Sequence, residues 1–446
     1  MRARTVPATL SSRARGARPA GPFSTADHVA VSILWLALYA QWLTVVPTIV
    51  PDQVASILGP YSAFREGISG SIIAAGAAVA LVVTPVAGAL SDRLQAAHGR
   101  RRPFLVSGIV AASIALALLV PFGSGSNLLL YALAILNLQF WWNWAAGPYA
   151  GLIPDVVPAA AQSTASGWMN VMSIFGTILG NALVAALYRP GRVLPVIVAF
   201  IALNLACLAL TLRGVREPAG AGRPFDRRGF VRSFYLEPRA HQNFYWVLLT
   251  RLLANMGIWS VFTFLLFYLE SVVGIARITA AQLLPGLLGM GAVLAIPASL
   301  VGTRLSDRYG IVRLVRITNW IMAAAALCYV LIAWHPRLTL VAPVVLAFSA
   351  AYGAYGAVDW ALALKVLPSG QNSGKDMGIW HIAMVLPQML GPAATGWLIT
   401  AVKTAASERL AYAVAFALAA LWFTLAALLV GHVRLALPAE VPGDAA

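Results

Sequence analysis

The chain is a succession of apolar stretches about as long as a lipid hydrocarbon core is thick, and that spacing constrains the fold more than any other feature. A helix rises about 1.5 Å per residue, so crossing a core of about 30 Å takes roughly 20 mostly apolar residues. Reading the runs between charged and Pro/Gly-rich breaks predicts twelve helical spans. The first six are 29–50, 67–90, 104–122, 127–148, 164–188 and 193–212. The second six are 243–270, 281–303, 314–334, 338–363, 376–401 and 409–432. With 60% hydrophobic and only 10% charged residues in 446, a water-facing surface cannot be built, and intrinsic disorder of the whole is excluded as well. An all-α integral membrane protein follows.

Lys and Arg number 31 against 15 Asp and Glu. Such an excess serves either a nucleic-acid surface or the cytoplasmic side of a membrane protein, and its distribution decides which. With the N-terminus inside, alternate connections hold 23 of these cations, the opposite ones hold seven, and Arg251 lies within a span. This asymmetry predicts a multi-pass plasma-membrane protein with both termini cytoplasmic, and it removes nucleic acid as a partner. Residues 1–28 read as a disordered basic tail, 29–212 as one six-helix bundle, 213–242 as a cytoplasmic linker, 243–432 as a second bundle and 433–446 as a tail. Ser91-Asp92-Arg93 after the second span recurs as Ser306-Asp307-Arg308 after the eighth. Repeated halves mark secondary transporters, whose substrate site lies between them near the midplane.

A charge at membrane depth costs at least about 2.5–3.5 kcal/mol, so the few inside spans are functional candidates by default. Arg251 and Asp359 are expected at depths of roughly 12 Å and 6 Å from the cytoplasmic side, close enough in height to pair. Arg251, Asn255 and Trp259 share one helical stripe; Tyr352, Tyr355 and Asp359 share another. Trp35, Tyr39 and Trp42 form a third, with Gln41 beside it, and the fourth span carries Gln139, Trp142 and Asn143. With Gln388, these amide and aromatic groups form the predicted substrate pathway. Aromatic faces beside amides and hydroxyls suit a sugar. His381 can titrate near neutral pH and is a candidate proton carrier beside the Arg251–Asp359 pair. Asp92 with Arg93, Arg100, Arg101 and Arg102 is read as a cytoplasmic gate, joined by Asp155, Asp307, Arg308 and Asp376. Gly370 to Lys375 lacks the Ser or Thr of a phosphate loop, no metal-ligand spacing is present, and no nucleophile motif is found. No cofactor, no metal and no enzymatic activity are expected, and the chain is read as a monomer.

Gly88-Ala89-Leu90-Ser91-Asp92-Arg93 followed by Gly99-Arg100-Arg101-Arg102-Pro103-Phe104 resembles the loop between helices two and three of the major facilitator superfamily. The second motif is similar to that of its sucrose and glycoside transporters, including the glycoside-pentoside-hexuronide cation symporters. Pro148 to Pro158 agrees, as does the stretch from Val358-Asp359-Trp360 through Lys375-Asp376-Met377-Gly378 to Leu386-Pro387-Gln388. The resemblance implies twelve helices in two six-helix bundles, the major facilitator fold, with spans one, four, seven and ten lining the cavity. It further implies secondary active transport of a sugar, glycoside or similar small polar solute by alternating access, coupled to protons. The plant sucrose symporters carry an acid nine residues before the proline matching Pro148, where this chain has Gln139, which cannot exchange a proton at physiological pH. A proton-antiport exporter of drug-like or biosynthetic small molecules is the alternative that the same fold supports.

Overall fold

The computed structural model describes residues 23–96, 99–158, 161–217, 241–366 and 373–434, except for the side chains of Ser163, Leu364 and residues 373–381. Within them twelve long helices follow one another. The first six are α1 (Thr25–Leu58), α2 (Arg65–Ser91), α3 (Arg102–Gly123), α4 (Leu128–Ala150), α5 (Gln162–Leu187) and α6 (Leu194–Gly214). The second six are α7 (Gln242–Ser271), α8 (Arg277–Tyr309), α9 (Ile311–Trp334), α10 (Leu338–Val366), α11 (Ser373–Ala405) and α12 (Glu408–Leu429). Eleven of these are apolar enough by composition alone to cross a membrane. In α4 the leucines are diluted by Asn137, Gln139, Asn143 and three tryptophans, which mark it as the span least able to live in lipid on all sides.

The helices overrun the apolar runs that predicted them. Charged and polar turns continue α1 to Leu58, α8 to Tyr309 and α11 to Ala405. The headgroup layers bring a bilayer to about 40–45 Å, so a helix can extend past its apolar core without signalling it in hydropathy. Local chemistry sets the ends: Ser24 caps α1 and receives the Asp27 carboxylate in return, a reciprocal capping box. Further along α1, Pro47 lacks an N–H, and the chain widens to a π-turn over Val45–Ile49 before resuming as Val50–Leu58.

Two buried cores divide the molecule. One draws on α1–α6 together with Trp259 and Ala281; the other draws on α7–α12 together with Ala55. The described chain begins and ends on the face that holds the connections after α2 and α4, called here the basic face. The opposite, or far, face carries the connections after α1, α3, α5, α7, α9 and α11. Helix pairs approach through small residues. In the N-terminal half a Cβ on Gly176 or Gly180 would fall 2.2 Å or 1.9 Å from the Leu36 or Ala40 carbonyl oxygen of α1. Between the halves, a Cβ on Gly70 of α2 would fall 2.2 Å from the Pro392 carbonyl oxygen of α11.

Gly180→Ala is therefore expected to force α5 off α1 at a cost of about 1–3 kcal/mol and to lower the melting temperature of the purified protein. Gly286→Ala, where an added Cβ meets nothing within 4 Å, is expected to leave it unchanged; thermal melting of both variants side by side checks this.

Candidate transport pathway and gates

The centre of the molecule is built from aromatic rings on one side of the inter-half seam and ions on the other. Along α1, one helical face carries Trp35, Tyr39 and Trp42, with ring centroids 6.1 Å and 5.7 Å apart in turn. Trp42 stacks on Trp259 of α7, 6.3 Å between centroids and 20° between planes, so the ladder crosses from one half to the other. One turn from Trp259, Phe262 meets Tyr352 of α10 edge to face at 5.7 Å. Tyr355, on the next turn, donates its hydroxyl to Asp359 Oδ1 at 3.2 Å, and Asp359 Oδ2 accepts from Arg251 of α7.

Both ions are buried, Arg251 8% and Asp359 2% exposed. Arg251 stands nine residues into α7 and Asp359 seven before the end of α10, a height difference of about 3 Å. They are closer in level than the sequence suggested because α10 runs on to Val366. Both belong to the C-terminal half. Asn255 turns its amide back to the Arg251 carbonyl at 2.9 Å, which satisfies its own helix and leaves it half-buried. Gln388 of α11 is 7% exposed, and its Nε2 has no hydrogen-bond partner among the described residues. It lies one turn toward the basic face from Gly391, which packs on Met256 and Trp259 of α7.

Several predicted pathway residues sit elsewhere. Gln41 faces away from the seam: its Nε2 donates to Asn204 of α6 at 2.5 Å and to the Ala37 carbonyl, and Asn204 reaches Ser113 of α3. It is a core polar group of the N-terminal half. Trp142 is 6% exposed within that same core. Gln139 and Asn143 lie half-buried along the seam of α2 and α4, with Gln139 packed over Gly76 and Asn143 accepting from Thr84 at 3.0 Å. The side chains of His381 and Asp376 lie outside the described residues.

On the basic face the described ion pairs of the arginine motif form a clasp inside the N-terminal half. Arg101 reaches Asp92 at 2.6 Å and Asp155 at 2.9 Å, and Arg100 reaches Asp155 at 2.6 Å, tying the end of α2 to the short helix Leu152–Val156 after α4. Arg93 lies half-buried beside them. Arg102 donates to the carbonyls of Leu212 and Val215 at 2.6 Å each, which fastens the end of α6. Glu217, which sequence reasoning passed over, accepts the Arg101 backbone N–H at 2.8 Å over Gly99. Only glycine serves at 99, where φ is +104° and a Cβ would collide with Glu217. Burial pushes the Glu217 carboxyl above the usual carboxylate range, against the pull of that N–H and of Arg102 and Arg101. The repeat copy differs: Asp307 and Arg308 are exposed and form no ion pair with another described residue, Arg308 lying instead over the Tyr309 ring.

The far face holds a larger set of ions, absent from the predicted site. Arg65 and Glu66 begin α2; Glu270 ends α7; Lys403 and Glu408 flank the turn from α11 to α12. Glu66 is fully buried and accepts from Arg65 at 2.9 Å, Tyr412 at 2.9 Å and Lys403 at 3.2 Å. Arg65 reaches across to Glu270 at 3.4 Å and stacks on Phe267. Nearby, Asp52 of α1 pairs with Arg277 of α8 at 2.5 Å and accepts from Tyr188. Below these ions Gly67 donates to Thr400 at 3.2 Å and Trp397 to Ser71 at 2.9 Å, so α2 and α11 close the far face.

The family model for the Major Facilitator Superfamily matches residues 31–374. The sucrose transport protein SUC4 of Arabidopsis thaliana is 32% identical over 117 residues, a stretch that covers 23% of this chain and 23% of that protein. Among solved structures, a bacterial homologue of the human lysosomal transporter Spinster, inward-facing and unoccupied, superposes over 94% of this chain and 100% of that one, with a TM-score of 0.69 and 14% identity. A D-xylose–proton symporter superposes over 90% and 97%, with a TM-score of 0.63 and 16% identity. The nucleoside transporter NupG superposes over 92% and 100%, with a TM-score of 0.69 and 13% identity. Match, helix order and two-core architecture agree: the chain belongs to the Major Facilitator Superfamily and is a multi-pass membrane transporter of small-molecule solutes.

Proposed function

We propose that the chain carries a sugar, glycoside or similar small polar solute across the plasma membrane by proton-coupled alternating access, with the basic face cytoplasmic and the far face extracellular. The observation that carries this reading is the ring ladder from α1 onto Trp259, facing a C-terminal half whose Gln388 holds a buried amide donor without a partner. Rings of this kind stack on the C–H faces of a pyranose, while a buried amide answers one of its hydroxyls. The sucrose transport protein and the xylose–proton symporter among the relatives support the solute class. Tyr352, Tyr355, Asn255 and Gln388 are the proposed contacts of the C-terminal half. Gln139 and Asn143, half-buried between α2 and α4, are the proposed contacts of the N-terminal half.

Arg251 and Asp359 are the proposed coupling pair. Because both stand in one half, the rocking of halves does not by itself separate them. A proton on Asp359 or a solute hydroxyl competing for Arg251 does. The substitution Gln139 removes the fourth-helix acid of the plant sucrose symporters and leaves Asp359 as the carboxylate nearest the middle.

Uptake of a labelled sugar panel into proteoliposomes with an imposed pH gradient tests the solute class: at least one sugar or glycoside is expected to accumulate, and expulsion of an amphipathic compound with no sugar moved would replace the reading with the exporter. Asp359→Asn is expected to abolish accumulation and to lower the melting temperature, since it takes away the buried counter-charge of Arg251. The double variant R251M/D359L is expected to regain most of the melting temperature without regaining accumulation. Accumulation at the parent level in D359N would remove the pair from the mechanism.

A further inference from the structure

Seven cations lie on the far face, but its described ion pairs draw on only three of them. Four carboxylates (Asp52, Glu66, Glu270 and Glu408) face three cations (Arg65, Arg277 and Lys403), with Tyr188 and Tyr412 supplying hydroxyls. The four acids are not equally served. Glu66 has three donors, and Asp52 has Arg277 and Tyr188. Glu408 has Lys403 at 2.9 Å and is 37% exposed, so water completes its shell. Glu270 is the exception: its side chain is 9% exposed, one oxygen meets Arg65 only at 3.4 Å, and Oε1 is buried without any partner among the described residues.

A carboxylate in that position is the acid of the cluster that gains most from a proton. Arg65 and Arg277 attract its charge while Asp52 and Glu66 repel it, and protonation turns one oxygen into an O–H and relieves the cost of a buried, half-satisfied anion. Its one ionic link is also an inter-half link, from the end of α7 to the start of α2. We propose that Glu270 is a proton-binding site of the far-face gate: uptake of a proton by its carboxylate weakens the hold of Arg65 on α7 and favours opening of that face. The proton arrives from the far-side medium and leaves to it or through the opened seam; no other group need change its covalent state. The other inter-half links, among them Glu66 to Lys403 and Tyr412, Asp52 to Arg277, and Arg65 to Ser271 and Glu408, are common to both forms of Glu270, so a proton there removes one ionic link of several. This inference rests on the far face being one gate of an alternating-access carrier. It does not depend on which solute is carried, and its test uses none.

The test is a distance measurement between spin labels on Ser126, in the connection after α3, and Arg337, just before α10, both exposed on the far face. Cys207 and Cys328 are replaced so that only these sites are labelled. In the otherwise unaltered chain, lowering the pH from about 8 to about 5, across the range in which a hindered carboxylate titrates, is expected to raise the longer-distance population several-fold. Glu270→Gln is expected to show the raised population already at the higher pH and to lose the pH response; Glu270→Ala gives a second reading should the amide variant not insert. Glu408→Gln is expected to retain the response. A population that ignores pH in the parent chain, or a full response retained in both Glu270 variants, overturns the proposal. A response lost in E408Q and kept in E270Q overturns it equally.

Discussion

An ion held away from water must find its counter-charge inside the protein, and in this chain the positions of the few buried ions set how the two halves can move. Removing one partner of a buried pair costs about 3–5 kcal/mol, whereas a solvent-exposed pair contributes about 0–1 kcal/mol. Arg251 and Asp359 find each other within the C-terminal half, on α7 and α10. Arg65, Glu66 and Asp52 find theirs across the seam, on α7, α8, α11 and α12. The first pair survives any rigid tilting of the halves and is open to a proton or a solute. The second set has to be broken each time the far face opens. The clasp of Arg100 and Arg101 on Asp92 and Asp155 holds α2 to the region after α4, so that half moves as one body.

Packing at the seam makes such breaking feasible. On the far face α2 and α11 approach through Gly67, Gly70 and Gly396, with the Trp397 ring laid over Gly67. Contacts between small residues bring backbones close with little side-chain area to unlock, and the polar closures sit above them at the membrane surface. Deeper in, Trp42 stacks on Trp259 across the seam.

Length of apolar run between charged and Pro/Gly-rich breaks made the spans legible, α4 included, although its amides and tryptophans make it the weakest in hydropathy. Helix ends were not legible, since polar turns in the headgroup layer look like loops. The Arg251–Asp359 pair could be read because each is a lone charge on an apolar background at a similar height. Gln41 could not be placed: a helical stripe fixes which residues share a face, but Gln41 lies about 100° round from the aromatic stripe, and only tertiary packing shows that this direction meets Asn204 of α6. The far-face network was only locally legible: Arg65 adjoins Glu66 and Lys403 lies five residues before Glu408, but the packing of α2 against α7, α11 and α12 is what brings these groups together.

Alternating access on this fold requires α2 and α11 to part on the far face in every transport cycle. A disulfide between cysteines placed at Gly67 and Thr400, whose contact is 3.2 Å in the closed far face, measures it directly. Uptake of a carried sugar is expected to stop when that cross-link forms and to return on reduction. Undiminished uptake with the cross-link complete would contradict the account.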